Sequence, residues 1–252
     1  MVDISNLFKK KPQKLVAVVV PLSNRKELTS DEEISLRHLL HYLGKYDKYF
    51  VMPKSLRFEY PGFGIKRFNN KYFGSVEVHN KLVLSGKFYK AFNDYKYILI
   101  YHLDSLVFSD QLTHWCNMDF DFIGPPWIEH EDAPYAGNPR YEGKVGNSGF
   151  ALIKLESFLK VMYPQKYMKY LKILNNATCE MSRYKLSDDS FWANRAAHYY
   201  PEFKIAPVET ALRFAFECVP RYCFEKNNKT LPFGCHAWNR YDKSFWKPYL
   251  LK

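Results

Sequence analysis

Short apolar runs separated by stretches of helical periodicity organise this chain. Leu15–Leu22 (LVAVVVPL) carries no charge and reaches Pro21. A continuous, β-branched-rich run of this length is the pattern of a strand buried on both faces, expected here as the first and central strand. Tyr97–Leu103 (YILIYHL) is a second such run, ending on Asp104. Lys48–Met52, stopped by Pro53, Phe120–Gly124, stopped by Pro125-Pro126, and Phe150–Ile153 predict shorter strands. Between them, Asp31 precedes Ile34, Leu36, Leu39, Leu40 and Leu43 at helical spacing, and Gly44 closes the segment, which predicts a capped helix. Val83–Phe92 and Asp188–Tyr199 also read as helices, and Leu155–Asn175 as one that breaks at Pro164. Residues 54–75, around Pro61-Gly62-Phe63-Gly64, are expected to be loop, as is 125–146. Beyond Pro207 the pattern becomes irregular and ends in an aromatic tail, Phe233–Tyr249. Strands alternating with helices imply a largely parallel sheet covered on both faces. With no linker, repeat or low-complexity segment, residues 1–252 are expected to form one α/β domain.

In open α/β sheets ligands sit beyond the carboxyl ends of the strands, which marks Asp104 as a candidate for holding a metal or a polar substrate; starting a turn is its bland alternative. Three other segments could carry chemistry. In Gly146-Asn147-Ser148-Gly149-Phe150, Gly149 lets backbone approach a ligand closely, although a tight turn would use the same residues. In Leu186-Ser187-Asp188-Asp189, capping a helix explains one acid and leaves the other free to act as a base. In Pro232-Phe233-Gly234-Cys235-His236-Ala237-Trp238, followed by Trp246-Lys247-Pro248, a histidine stands among glycine and tryptophan with little structural reason to be there.

Composition narrows the function classes. Aromatic residues make 18% of the chain, including 20 Tyr and 5 Trp, more than a core alone requires; such side chains also suit surfaces that stack on sugars. The net charge of +11 predicts attraction to anions without choosing among nucleic acid, anionic lipid and phosphorylated small molecules. Apart from an arm containing Lys9, Lys10, Lys11 and Lys14, the excess is dispersed, and no nucleic-acid-binding motif is recognisable. Five cysteines without a CxxC pair suit a reduced compartment. No run approaches 18 apolar residues and no leader-like apolar core opens the chain. A cytoplasmic protein is expected, with at most peripheral contact to an anionic membrane, and the sequons at Asn176 and Asn228 are read as chance.

Together the four segments resemble glycosyltransferases of the GT-A fold, which carry an acidic metal motif, often Asp-x-Asp, after an apolar strand, as in Leu103-Asp104-Ser105-Leu106. The ending with His236 and Lys247-Pro248 is similar to that of glycogenin-like and bacterial lipopolysaccharide galactosyltransferases. The closest resemblance is to the family of domain of unknown function 5672, enzymes of surface-polysaccharide gene clusters by their appearance. Its members share the Leu-Asp strand end, Ile123-Gly124-Pro125-Pro126-Trp127, the Asn-x-Gly-Phe stretch and the final His-x-Trp. The resemblance implies a GT-A-like domain with a mixed, mostly parallel central sheet flanked by helices. Residues 15–108 would form the nucleotide-sugar half and 109–252 the acceptor half with the C-terminal tail.

The resemblance further implies transfer of a sugar from a nucleotide-sugar donor to a glycan or lipid-linked acceptor. Leu22, Asn80 and Lys81 would contact the donor, and Lys247 its diphosphate. Asp104 and His236 would hold Mn²⁺ or Mg²⁺. Asp189, with Asp188 second, would serve as base. Asn147, Ser148 and Gly149 would form the acceptor segment, and Trp127, Trp192 and Trp238 would stack on sugar rings. Leu106 stands where the second acid of Asp-x-Asp belongs, which keeps open a metal-independent enzyme or a non-catalytic glycan-binding domain. A basic nucleic-acid-binding protein is the rival from another class.

Overall fold

The computed structural model describes residues 13–22, 25, 27–162 and 187–251. Lys9–Lys11, the break at Pro164, the sequon at Asn176 and Cys179 lie outside them. The strands, in chain order, are β1 (Lys14–Pro21), β2 (Asp47–Pro53), β3 (Phe63–Phe68), β4 (Tyr95–Tyr101), β5 (Leu106–Val107), β6 (Phe122–Ile123), β7 (Pro126–Trp127), β8 (Lys144–Val145), β9 (Phe150–Lys154), β10 (Ala215–Phe216) and β11 (Gly234–Cys235).

The central sheet has the order β3-β2-β1-β4-β9-β6. β1 pairs in parallel with both β2 and β4, and β2 with β3. β9 runs antiparallel to β4 and to β6. The sheet is therefore mixed and mostly parallel, with β1 inside it. The uncharged run explains that position: Ala17, Val18, Val19 and Val20 are wholly buried, as a strand covered on both faces must be.

The helix Ser30–Leu43 turns Leu36, Leu39 and Leu43 into the core. Its cap is Thr29 rather than Asp31: the Thr29 hydroxyl accepts from Glu32 N (3.3 Å) and Glu32 Oε2 accepts from Thr29 N (2.7 Å), a reciprocal capping box. Asp31 instead binds Lys243 from the C-terminal tail (2.7 Å).

Three expectations are corrected. The supposed loop 54–75 contains β3, an edge strand whose Phe63 stacks on Phe50 with ring centres 4.2 Å apart. The supposed helix Val83–Phe92 is two helices, Val76–Val83 and Gly86–Lys90, the first capped by Ser75. The tail is not irregular. It supplies the helices Val208–Phe214, Pro220–Lys226 and Lys243–Trp246, and a three-stranded sheet of order β10-β11-β5. That sheet has its own small core of Leu106, Leu212, Phe216, Cys235, Trp238, Phe245 and Trp246.

Candidate active site

Strands β4, β10 and β11 end, and β5 and β9 begin, at one place, and their registers determine which side chains meet there. β4 and β9 pair Tyr101 with Phe150; one step further, His102 N donates to Gly149 O (2.8 Å). β11 runs antiparallel to β5, Cys235 opposite Leu106, so the next residue, His236, arrives beside the segment that follows Asp104. Trp238 N closes this turn on Asp104 O (3.0 Å). β10 runs parallel to β11, Phe216 opposite Cys235, which carries Glu217 to the side of His236. Behind Asp104, the buried hydroxyls of Ser35 and Tyr101 both donate to Ser105 O (2.6 and 3.0 Å), fixing the backbone of the turn.

His102, Asp104 and His236 thereby present ligand atoms within 4.8 Å of one another. His236 Nε2 lies 3.4 Å from Asp104 Oδ1, and its Nδ1 lies 3.1 Å from Glu217 Oε1. The Asp104 side chain is 39% exposed, so the cluster opens to solvent. Burial disfavours a charged His236, but the Asp104 and Glu217 carboxylates outweigh it and push its pKa up to about 10. Burial likewise opposes ionised Asp104, yet the His236 charge holds it well below the usual carboxylate range. His102 is pushed down to about 3, by burial and by the neighbouring imidazolium. A ligand set of two imidazoles and one carboxylate, one imidazole already neutral, suits a first-row divalent cation. Leu106, in the place of a second acid, is wholly buried in β5, and His102 contributes the additional donor from the other side of Asp104.

Beside this cluster stand the two acids. Ser187 is the helix cap, its Oγ accepting from Ser190 N (3.2 Å), so neither acid is needed for capping. Ser148 Oγ donates to Asp188 Oδ2 (2.8 Å) and Ser148 N to Asp189 Oδ1 (3.1 Å). Burial lifts both carboxyl groups above the ordinary range, and repulsion from Asp188 lifts Asp189 further. His79, His102, Ser148 and Asp188 line one small cavity together with apolar side chains such as Ile100 and Trp192.

The Asn147–Gly149 segment joins all of these parts. Asn147 Nδ2 donates to Glu217 Oε1 (2.7 Å), Asn147 Oδ1 accepts from Gly149 N (3.1 Å), and a Cβ on Gly149 would collide with the His236 ring. The polar groups expected to meet an acceptor are thus engaged internally and hold the acids and the histidine in place.

Other candidates fall elsewhere. Trp192 is buried with its ring 3.8 Å from that of Phe158; Trp127 packs against Tyr141 and Gly146; Trp238 is wholly buried under Lys243. All three are core residues with no ring face open to a sugar. The side-chain amide of Asn80 lies 3.2 Å from Asp188 Oδ1 and so belongs with the acids. Lys81 pairs with Glu77 on the surface (2.7 Å). Leu22 is buried just past β1, its N–H donating to Val51 O (2.8 Å). Lys247 is exposed on a 3₁₀ turn, and among the described residues no hydrogen bond or ion pair links it to the cluster. Sequence reasoning had no signal for Glu217. His102 could have been found from its place two residues before Asp104, at the end of the same strand and in the same turn.

A central, mostly parallel mixed sheet flanked by helices is the arrangement of the GT-A glycosyltransferase fold. The structure superposes on galactosyltransferase LgtC in complex with donor and acceptor sugar analogues, with TM-score 0.53, 14% identity, and 92% of this chain and 93% of that one covered. An active-site mutant of LgtC gives TM-score 0.52 at 14% identity over 94% and 96% of the two chains. The apo glycosyltransferase GlyE of Streptococcus pneumoniae gives 0.48 at 12% identity over 94% of this chain and 60% of that one. At 14% identity the likeness to LgtC shows the fold alone. No curated protein sequence matches the chain. The model of a family described as a protein of unknown function, DUF5672, matches residues 62–236, and the chain belongs to that family. The matched span contains every residue of the cluster just described. Among the described residues no helix is long and apolar enough to cross a membrane.

Proposed function

We propose that this protein is a metal-dependent glycosyltransferase that moves a sugar from a nucleotide-diphosphate sugar to a hydroxyl of a glycan or lipid-linked acceptor, in the assembly of a surface polysaccharide. One observation carries the reading: His102, Asp104 and His236 converge at the end of β4, next to a carboxylate pair bound to the same Asn147–Gly149 segment. The three donors fit Mn²⁺ better than Mg²⁺ because two are imidazoles, and they leave coordination positions for two phosphate oxygens. When bound, the ion would neutralise charge on the departing diphosphate.

The chain's own groups supply the rest. Asp189 is the more accessible of the two acids, and its Oδ1 accepts from Ser148 N in the segment that packs on His236. In an inverting transfer its carboxylate takes the proton of the acceptor hydroxyl while that oxygen bonds to the anomeric carbon. The anomeric C–O bond breaks, and its electron pair leaves with the diphosphate. In a retaining transfer the same carboxylate stabilises positive charge on the sugar. Ser148 holds Asp188 and Asp189 in orientation for either role.

The reading is tested by a nucleotide-sugar panel scored by thermal shift with and without Mn²⁺. At least one donor raises the melting temperature, and only with the metal present. A panel in which no nucleotide sugar shifts the transition, while DNA does, moves the protein to another class.

A further inference from the structure

The register that sets His236 beside Asp104 also sets Glu217 beside His236, a carboxylate to which the proposed reaction assigns no task. We infer that Glu217 is a positioning residue: it fixes His236 as a metal ligand and ties that ligand to the Asn147–Gly149 segment. The inference rests on the metal-dependent reading above.

Glu217 is only 9% exposed, and among the described residues its sole ion-pair partner is His236. Burying a carboxylate in place of a neutral residue carries a large desolvation cost, so its partners identify its use. One oxygen, Oε1, accepts from both His236 Nδ1 (3.1 Å) and Asn147 Nδ2 (2.7 Å). With Nδ1 engaged, Nε2 is the nitrogen left facing Asp104, the relation by which an outer carboxylate orients a metal-bound imidazole. Gly149 lies over the Nε2 end of the ring, where no Cβ fits. The chain enters the left-handed region directly after His236, at Ala237 (φ 51°), and two residues after Glu217, at Val219 (φ 44°). Non-glycine residues hold that conformation only where their surroundings impose it, and here it sits beside both partners of the contact. The same oxygen connects the metal ligand to the segment that holds Asp188 and Asp189, so displacement of either end is felt at the other.

The test is Mn²⁺ titration of the full chain without substrate, followed by electron paramagnetic resonance, for wild type, Glu217→Gln and Glu217→Ala. Circular dichroism and melting of the metal-free proteins establish folding. Glu217→Gln, nearly isosteric and still able to accept, keeps the variant set readable if Glu217→Ala does not fold. Expected is a loss of Mn²⁺ affinity of about 10- to 100-fold in Glu217→Ala and a smaller loss in Glu217→Gln. Pulsed measurements at saturating Mn²⁺ should show the coupling from one imidazole lost in Glu217→Ala or, if that variant does not fold, weakened in Glu217→Gln. Wild-type affinity and unchanged imidazole couplings in the folded variants overturn the inference and leave Glu217 as a brace for Asn147. Absence of Mn²⁺ binding in wild type, both alone and with a nucleoside diphosphate to complete the coordination, overturns the metal-dependent reading itself, and the inference with it.

Discussion

Replacing Gly149 by alanine tests the geometry of the site with a single methyl group. The backbone there needs no glycine-only conformation, since Gly149 is not among the positive-φ glycines; the constraint is space. The added Cβ meets Nε2, Cδ2 and Cε1 of His236 together, and carbon-to-ring contacts are comfortable only at about 3.5–4.0 Å, so the ring must retreat by roughly an ångström. It cannot swing freely, because Asp104 and Glu217 hold its two nitrogens. Overpacking of this kind costs about 1–3 kcal/mol, which lowers the melting temperature by roughly 2–4 °C per kcal/mol in a chain this long. Function should suffer more: a misplacement of about 1 Å in a reacting constellation costs on the order of 10²-fold in turnover. Mn²⁺ affinity, melting temperature and donor cleavage should therefore fall together in Gly149→Ala, with Gly149→Val worse on all three. A Gly149→Ala protein that binds Mn²⁺ and turns over like wild type would show that the His236 ring is not constrained as described, and the argument would fail.

Other outcomes follow from the same contacts. Asp189→Asn should fold and bind donor normally but transfer sugar about 10²-fold more slowly, with Asp188→Asn less affected; equal rates at saturating acceptor would remove Asp189 from the chemistry. Trp192→Ala should lose about 3–5 kcal/mol of stability in a denaturant titration, because its ring is buried against Phe158; a variant as stable as wild type that loses only acceptor binding would restore the sugar-stacking role. His38 is buried and neutral, with Nδ1 on Val107 O (2.9 Å) and Nε2 accepting from Leu251 N (3.0 Å), and burial lowers its pKa below 6.5. The folded state therefore binds this proton more weakly than the unfolded chain, so its contribution is complete above about pH 6.5 and declines as the pH falls below that value. Melting temperature should drop more between pH 7 and pH 5 in wild type than in His38→Gln, and the opposite order would contradict this assignment.

The sheet was legible where burial is uniform. Leu15–Leu22 and Tyr97–Tyr101 carry no charged residue because β1 and β4 are covered on both faces. Edge strand β3 was not legible, since its half-buried Phe63–Phe68 mixes Lys66 and Arg67 with aromatic residues. The small sheet of the tail was hidden for another reason: two-residue strands carry no periodicity, and their positions are fixed by pairing across long sequence separations. That pairing is what builds the site. Asp104 and His236 could be marked as candidates from their surroundings, whereas Glu217 follows Phe216 in an unremarkable stretch and becomes visible only through the register of β10 on β11. The tryptophans misled for a physical reason: a ring suited to stacking on sugar is equally suited to a core, and sequence alone does not separate the two.

Service of the His102–Asp104–His236 cluster in sugar transfer from a nucleotide donor has a direct readout. It is tested most directly by following release of the nucleoside diphosphate from a panel of nucleotide sugars without acceptor, with Mn²⁺, for wild type and Asp104→Ala. Wild type should cleave at least one donor slowly and lose this activity on chelation, and an Asp104→Ala protein that retains the wild-type circular dichroism spectrum should cleave none. Cleavage by Asp104→Ala at the wild-type rate, or no cleavage of any donor by wild type, would contradict it.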